Sequence, residues 1–147
     1  MNIYERLTQD HDTQRDLCAK VKDTSGDTAE RRKLWEQLRK ELEAHANAEE
    51  QTFYAEMIAK PDGQEKARHS VAEHKDMADL IEELEDKEMD SPGWLVTFKQ
   101  LAHDVIHHVD EEEEEIFACA REVISDSRAD ELVGEFEQRK GSEFEQV

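Results

Sequence analysis

The sequence predicts an all-α protein, an up-down-up-down four-helix bundle followed by a short fifth helix. Only 5 glycines and 2 prolines occur among 147 residues, and 39% of the residues are charged, which favours long amphipathic helices over sheets with many turns. Helix-breaking residues cluster at 23–27, 60–63 and 90–93 and divide the main body of the chain into four parts. Within each part, apolar residues recur every three or four positions, as one buried helix face requires.

The four helices are expected at roughly 2–22, 28–59, 64–88 and 92–124, and their short connections favour antiparallel neighbours. Each helix carries its own apolar stripe. In order along the chain, the stripes are Ile3, Leu7, Cys18 and Val21; Leu34, Leu38, Leu42 and Phe53; Ala67, Val71, Ala78 and Ile81; and Leu95, Phe98, Leu101, Val105, Ile116, Cys119 and Val123. Residues 1–124 are therefore expected to form one bundle domain.

Residues 125–147 are expected to add a short helix over 128–139 and a frayed tail. Leu132, Val133 and Phe136 give this segment an apolar face that could cap the bundle. The last eight residues, KGSEFEQV, carry little that would hold them in place.

The charge of the chain excludes several classes of partner. Its formal net charge is −20, so its surface should repel nucleic acid and anionic membranes. No run of about 18 apolar residues occurs and the N-terminus does not resemble a signal peptide, so a cytoplasmic location is expected. Cys18 and Cys119 lie far apart without a CxxC pair, which indicates small core residues and no disulfide framework.

Six polar side chains interrupt the apolar stripes. An α-helix turns by about 100° per residue, so each position can be compared with the direction of its own stripe. By that comparison four histidines and two glutamates point into the core, namely His11, His45, Glu49, His74, His108 and Glu112. They also lie near the midpoints of their helices, so antiparallel packing should bring them into one layer.

The other three histidines are expected on the surface, namely His69, His103 and His107. The spacing His107-x-x-x-Glu111 repeats that of His108-x-x-x-Glu112, but its members fall outside the stripe. Four aromatic residues are expected to pack at the ends of the bundle without a chemical role, namely Tyr4, Tyr54, Trp35 and Trp94.

The six inward residues predict a two-metal centre. Burying an unpaired carboxylate costs several kcal/mol, which a cation between the two glutamates would offset. We expect Glu49 and Glu112 to bridge the ions and the four histidines to be terminal ligands, which leaves positions for a bridging oxide or hydroxide, water and a small ligand. Mixed imidazole and carboxylate ligands favour two iron ions, with manganese or zinc as alternatives.

This pattern resembles the hemerythrin-like family, also called the HHE cation-binding domain. The resemblance spans residues 1 to about 124 and rests on an early His11 and three motifs: His45-Ala-Asn-Ala-Glu49-Glu50, Glu73-His74, and His108-Val-Asp-Glu-Glu112-Glu113 followed by Ile116-Phe117. It implies a non-haem di-iron centre that binds or reacts with dioxygen and, in some members, with peroxide or nitric oxide.

One position departs from the oxygen-carrying hemerythrins, which have a further histidine one turn before the one matched by His74. Ser70 stands there in this chain. Water or a nearby side chain could fill the position, and oxidation, peroxide chemistry or sensing becomes more plausible than reversible oxygen carriage. An oxidase or a peroxide-consuming enzyme, a non-catalytic iron-binding or sensing module, and a metal-free helical interaction protein stay open as alternatives.

Overall fold

The computed structural model describes all 147 residues, and they form five helices without any β-strand. Helix α1 is Ile3–Lys22. Helix α2 begins as Ala29–Glu49, passes through a π-helical turn at Glu50–Tyr54 and ends as Ala55–Ile58. A 3-10 turn at Pro61–Gly63 leads into α3, Gln64–Asp86. Helix α4 begins as Pro92–Glu111, has a π-helical turn at Glu112–Ile116 and ends as Phe117–Val123, and α5 is Asp126–Gln146. The predicted all-α bundle is confirmed.

Short polar side chains mark where the helices begin. At the start of α1 the Asn2 side chain accepts a hydrogen bond from the backbone of Glu5, and the Glu5 side chain accepts one from the backbone of Asn2. The Thr28 side chain caps α2 in the same sense. Between these two helices Gly26 adopts a φ of 66°, a left-handed conformation that glycine reaches without strain. Local sequence signals therefore fix the turn that reverses the chain.

The fifth helix is longer than the sequence indicated. It continues to Gln146, so the expectation of a short helix over 128–139 and a frayed tail was wrong. Leu132 and Phe136 are fully buried, and beyond them Lys140 and Glu143 continue the same face with polar contacts to the bundle. Because these contacts extend the packed face, the last residues of the helix have partners that sequence reasoning did not foresee.

The apolar core consists of two blocks separated by a polar layer. One block contains residues such as Ile3, Leu7, Phe53 and Phe117. The other contains residues from the opposite half of the same helices, namely Cys18, Val21, Trp35, Leu38, Leu42, Met77, Ile81, Leu84, Trp94, Phe98, Leu101, Ala102 and Val105. On each of α1 to α4, the predicted metal ligands lie between a residue of one block and a residue of the other. The polar layer with the predicted ligands therefore lies between two apolar blocks of the core.

None of the helices has both the length and the apolar character needed to cross a membrane. Both thiols are free, with Cys18 buried and Cys119 partly buried.

Candidate metal centre

The six predicted side chains meet in the polar layer. His11, Glu49 and Glu112 are completely buried, and the other three histidines are nearly so. Glu49 Oε1 lies 3.6 Å from His45 Nε2 and 3.2 Å from His74 Nε2. Glu112 lies 3.4 Å from His11 Nε2 through Oε1 and 3.2 Å from His108 Nε2 through Oε2. Each carboxylate therefore lies between two imidazoles from different helices.

These donors form two overlapping groups. One contains His11, His45 and Glu49, the other contains Glu49, His74 and His108, and the ligand atoms within each group lie within 4.8 Å of one another. The two groups share Glu49, as a bridging carboxylate would require. Glu112 contacts one histidine of each group, so it is placed to bridge as well.

Each of the four predicted histidine ligands donates a hydrogen bond from its outer ring nitrogen, Nδ1, to a carboxylate on a neighbouring helix. In chain order, His11 Nδ1 donates to Glu113 at 2.7 Å, His45 to Asp10 at 2.7 Å, His74 to Glu50 at 2.8 Å and His108 to Glu73 at 2.8 Å. We call these four acceptors the outer carboxylates. Because Nδ1 holds one proton, each ring in its neutral form presents the lone pair of Nε2 to the centre, which is the tautomer that a metal ligand needs.

The four hydrogen bonds from the histidines to the outer carboxylates form a closed circuit of helices around the bundle. Helix α1 supplies the acceptor for α2, α2 for α3, α3 for α4, and α4 for α1. Each acceptor is the sequence neighbour of a predicted ligand, as in Asp10-His11 and Glu73-His74. That adjacency was the available sequence signal, although it did not show which histidine each carboxylate would reach.

Several inner polar atoms form no hydrogen bond within the protein, although facing imidazoles lie 3.2–3.6 Å from the two carboxylates. Both oxygens of Glu49, Oε1 of Glu112 and Nε2 of His11 are buried without a hydrogen bond. Each such atom normally costs about 1–3 kcal/mol, and more when it is charged. Two carboxylates facing four imidazole nitrogens fit a pair of cations with mixed oxygen and nitrogen ligands. The donor set therefore matches the predicted centre, whereas metal binding itself stays a prediction.

The same contacts shift the protonation of the metal-free histidines. Burial lowers the pKa of His45, but the charge of Glu49 and the hydrogen bond to Asp10 outweigh it and raise the pKa to about 10. Burial also lowers the pKa of His108, and its contacts with Glu112 and Glu73 raise it to about 10. Both rings therefore carry an extra proton at neutral pH when no metal is bound, and a metal ion must displace it.

The fifth helix supports one side of the centre. Lys140 Nζ lies 2.8 Å from Asp10 Oδ2, the acceptor for His45, and 2.8 Å from Glu41 Oε2. The ring of Phe136 lies 5.5 Å from the ring of His45 in an edge-to-face arrangement. Sequence reasoning missed Lys140 because it placed this residue in a frayed tail.

Tyr54 has a place in the site that the sequence did not indicate. The residue is completely buried, its hydroxyl donates to Glu112 Oε2, and its ring lies 5.6 Å from that of His74. Burial raises the pKa of Tyr54 well above its usual value, so the hydroxyl keeps its proton. The prediction that Tyr54 packs at a bundle end was therefore wrong. Ser70 is also completely buried, and its hydroxyl lies beside that of Tyr54 without a hydrogen bond of standard geometry.

The two π-helical turns begin beside the two inner glutamates. One starts directly after Glu49, and the other starts at Glu112. A π turn takes an additional residue, and such turns are rare in proteins and often lie at functional sites. In α2 this geometry lets the consecutive residues Phe53 and Tyr54 both face the interior.

A cavity of about 350 Å³ leads from the surface between α2 and α3 to the centre. Apolar side chains line much of it, including Leu42, Val71, Met77 and Ile81, and three of the predicted ligands reach its wall, namely His45, His74 and His108. Charged side chains also line it, including Glu43, Glu50 and Lys75, so a small molecule could reach the polar layer along a wall of mixed polarity.

Comparisons with known proteins bear on the family and the fold of this chain. The family model of the hemerythrin HHE cation binding domain matches residues 2–120. A curated protein of Nostoc sp. (strain PCC 7120), described as a DNA nickase, is 28% identical over 140 residues, covering 95% of this chain but 39% of the length of that protein. The crystal structure of an HHE cation binding domain-containing protein from Mycobacterium kansasii has a TM-score of 0.88, 24% identity, and coverage of 99% of this chain and 89% of that one. The last likeness supports the fold.

Proposed function

Since the chain belongs to the hemerythrin HHE cation-binding domain family, we propose that it is a non-haem di-iron protein that binds or reacts with dioxygen or a related small oxidant. The observation that carries this proposal is a set of buried inner atoms without a hydrogen bond, namely three carboxylate oxygens and the Nε2 of His11. A core built only for stability would not contain them, because each uncompensated polar atom is unfavourable.

The ligand chemistry supports iron as the metal. Glu49 and Glu112 would bridge two ions, and His11, His45, His74 and His108 would complete the protein ligands. Calcium and magnesium prefer oxygen ligands alone, and structural zinc prefers a closed tetrahedral site, so redox-active iron suits this set better. Manganese and zinc are the alternatives. When bound, iron would supply the redox chemistry, and its open positions would admit a small ligand.

The protein's own residues would orient the ligands and control protons. The outer carboxylates hold the Nδ1 protons and aim the Nε2 lone pairs inward. Tyr54 keeps a proton on its hydroxyl beside Glu112, where bulk water does not reach. The partly apolar cavity would give a small oxidant a path to the histidines. Each feature suits a reaction with a small molecule in a dry site.

Ser70 favours a reaction with oxidant over reversible oxygen storage. The oxygen-carrying relatives have a histidine at the equivalent position, whereas here the buried hydroxyl supplies no nitrogen ligand. We propose an oxidase-like or peroxide-consuming role first. A non-catalytic sensing module, in which the bundle responds to metal or oxidant, is the alternative.

The relative described as a DNA nickase does not lead us to propose DNA cleavage for this chain. The chain spans about two fifths of that protein's length. With a net charge of −20, it should also repel the phosphate backbone. We expect no shift of duplex DNA on mixing with the protein at low salt.

Metal analysis after anaerobic iron reconstitution tests the centre. After loosely held metal has been removed on a chelating resin, we expect two iron ions per chain, loss of iron in His108→Ala, and retention of both ions in the control His103→Ala. His103 is an exposed histidine on the same helix. Substoichiometric iron in the unaltered protein, or equal iron in the two variants, would overturn the proposal.

Reaction with oxidants then separates the functional alternatives. The reduced, iron-loaded protein is mixed with dioxygen, peroxide or nitric oxide while its optical spectrum is recorded. Peroxide turnover faster than that of the same concentration of free iron supports an enzyme, and a stable, reversible dioxygen spectrum supports a carrier. If none of the three ligands changes the spectrum, the oxidant-binding function is wrong.

A further inference from the structure

A second cluster of potential metal ligands lies outside the buried centre, on the surface shared by α3 and α4. It consists of His69 and Glu73 on α3 and of His107 and Glu111 on α4. Each pair has the spacing of one helical turn, so its two side chains leave the helix on the same face. The histidine side chains are 53% and 61% exposed, while those of the glutamates are 21% and 18% exposed. We call these four residues the surface cluster.

Three of the four side chains, those of His69, Glu73 and Glu111, place ligand atoms within 4.8 Å of one another, and His107 borders this group. His69 Nε2 lies 3.4 Å from Glu73 Oε2 and 2.7 Å from Glu111 Oε1. His107 Nε2 lies 3.3 Å from Glu111 Oε2 and 4.0 Å from Glu73 Oε2. In a tetrahedral site with bonds of about 2.1 Å, neighbouring ligand atoms are about 3.4 Å apart. Rotamer adjustments of exposed side chains would bring the four donors to that spacing.

An ordinary charged surface does not account well for this arrangement. Solvated helix faces usually pair glutamates with lysine or arginine, but neither Glu73 nor Glu111 forms an ion pair with either residue type. The two carboxylates instead share two imidazoles. Two histidines and two carboxylates from adjacent helices form the mixed donor set that borderline divalent ions such as zinc prefer, whereas calcium and magnesium prefer oxygen alone.

We propose that the surface cluster is a mononuclear site for a divalent transition-metal ion, with two imidazole and two carboxylate ligands. Zn²⁺ and Co²⁺ are the probes that match this ligand set and geometry. The site is separate from the six residues of the buried centre.

Glu73 connects the two sites, because it belongs to the surface cluster and also holds a histidine of the buried centre. Glu73 accepts the Nδ1 hydrogen bond of His108 through Oε1, while its Oε2 faces the surface cluster. An ion at the surface would draw charge from this carboxylate and weaken its hold on His108. This coupling rests on the proposed function of the buried centre, but the existence of the surface site does not.

Zinc stoichiometry of the full chain tests the proposal. The protein as purified, and after iron loading, is dialysed against Zn²⁺ at pH 7 and analysed for bound metal. We expect the unaltered protein to bind one Zn²⁺ more per chain than His69→Ala/His107→Ala and one more than Glu111→Gln. The control His103→Ala, which removes an exposed histidine of α4 outside the cluster, should retain that ion.

Co²⁺ provides a direct report of the geometry. We expect the intense visible absorption of tetrahedral Co²⁺ in the unaltered protein and in His103→Ala, and its loss in the double variant. Equal Zn²⁺ content in all four proteins, or an unchanged Co²⁺ spectrum in the double variant, would refute the surface site.

The result is independent of the buried centre, because it is a difference between proteins that all contain the six inward residues. If iron fails to bind while the Zn²⁺ difference persists, the proposed function is wrong and the surface site stands. If two iron ions bind while the Zn²⁺ difference is absent, the opposite holds.

Discussion

Replacing Lys140 by methionine tests whether the fifth helix supports the metal centre. The substitution removes an ammonium group 2.8 Å from Asp10 and 2.8 Å from Glu41 while keeping most of the aliphatic side chain. Both carboxylates have 7% side-chain exposure. Burial already raises the pKa of Glu41, the neighbouring Asp10 raises it further, and Lys140 opposes both effects. Without Lys140, Glu41 should take up a proton.

The expected loss of stability follows from the burial of the three charged groups of Lys140, Asp10 and Glu41. Removing one partner of a buried pair costs about 3–5 kcal/mol. Protonation of Glu41 and the remaining contact of Asp10 with Arg6 at 2.7 Å should limit the loss. We therefore expect the free energy of unfolding to fall by about 2–3 kcal/mol at pH 7. For a chain of this size, that corresponds to a decrease of about 5–10 °C in Tm.

Urea denaturation of the metal-free protein measures the effect, and Arg139→Met is the matched control. Arg139 is the preceding residue on the same helix, its side chain is 47% exposed, and it lies 3.6 Å from Glu143. Arg139 is well exposed, and Glu143 keeps hydrogen bonds from Asn47 and Gln51, so losing this contact should cost less than about 1 kcal/mol. Adding Glu41→Gln to Lys140→Met should restore part of the lost stability, because it removes one unpaired carboxylate.

Equal losses in Lys140→Met and Arg139→Met would refute the reasoning. So would a loss in Lys140→Met that Glu41→Gln does not reduce, since the cost would then come from packing and not from the carboxylates.

Three further predictions concern the centre itself. Glu113→Gln should weaken iron binding by about 10–100-fold in a chelator competition, because it replaces the carboxylate that accepts the hydrogen bond of His11. Glu114→Gln changes an exposed neighbour and should have no effect. Tyr54→Phe should lower the free energy of unfolding by about 1–3 kcal/mol, because it leaves a buried carboxylate oxygen unpaired, while Tyr4→Phe should be nearly neutral, because the Tyr4 hydroxyl has no partner. The metal-free protein should lose stability as the pH rises from about 6.5 to about 10. In that range the native state keeps a proton on His45 that the unfolded state has lost, because the pKa of His45 is raised in the native state. Urea denaturation at several pH values measures this loss.

Each of these predictions has an outcome that contradicts it. Equal iron affinities for the variants at 113 and 114 would show that the outer carboxylate does not orient its histidine. Equal losses for Tyr54→Phe and Tyr4→Phe would show that the hydroxyl contact contributes nothing. Stability that stays constant or rises between pH 6.5 and 10 would contradict the protonated state of the metal-free histidines.

The helix positions could be predicted because the signals that determine them are local. Breaker residues mark the turns, and the apolar period marks the buried face. The meeting of the six inward residues could be predicted for the same reason, since a polar residue within an apolar stripe must face the core. His108 was distinguished from His107 in this way, and the structure buries the first and exposes the second.

Other features of the site depend on how helices approach one another, which periodicity does not describe. Glu50 and Glu113 lie about 100° away from an inward residue on their own helices, so they have the pattern of surface residues. Whether they reach a histidine depends on the separation of adjacent helices. Lys140 was missed for a similar reason, because its partners come from α1 and α2.

The π-helical turn explains the error at Tyr54. Counting 100° per residue along this helix turns Tyr54 away from the apolar stripe, but the π-helical turn after Glu49 takes an additional residue and brings Tyr54 inward beside Phe53. Nothing in the local composition, Glu-Gln-Thr-Phe-Tyr, indicates such a turn. The π-helical turn is therefore a feature of the packed structure that the sequence pattern does not indicate.

The circuit of outer carboxylates has a consequence for assembly. Each bundle helix contributes one histidine and the acceptor for the histidine of the next helix, so a slip of one residue in any helix rotates both groups by about 100° and breaks two of the four hydrogen bonds. A misregistered bundle then has wrongly aimed imidazoles and should bind metal poorly. A ligand that binds only one state shifts the population towards that state. Metal binding should therefore increase the fraction of molecules that have the correct helix register.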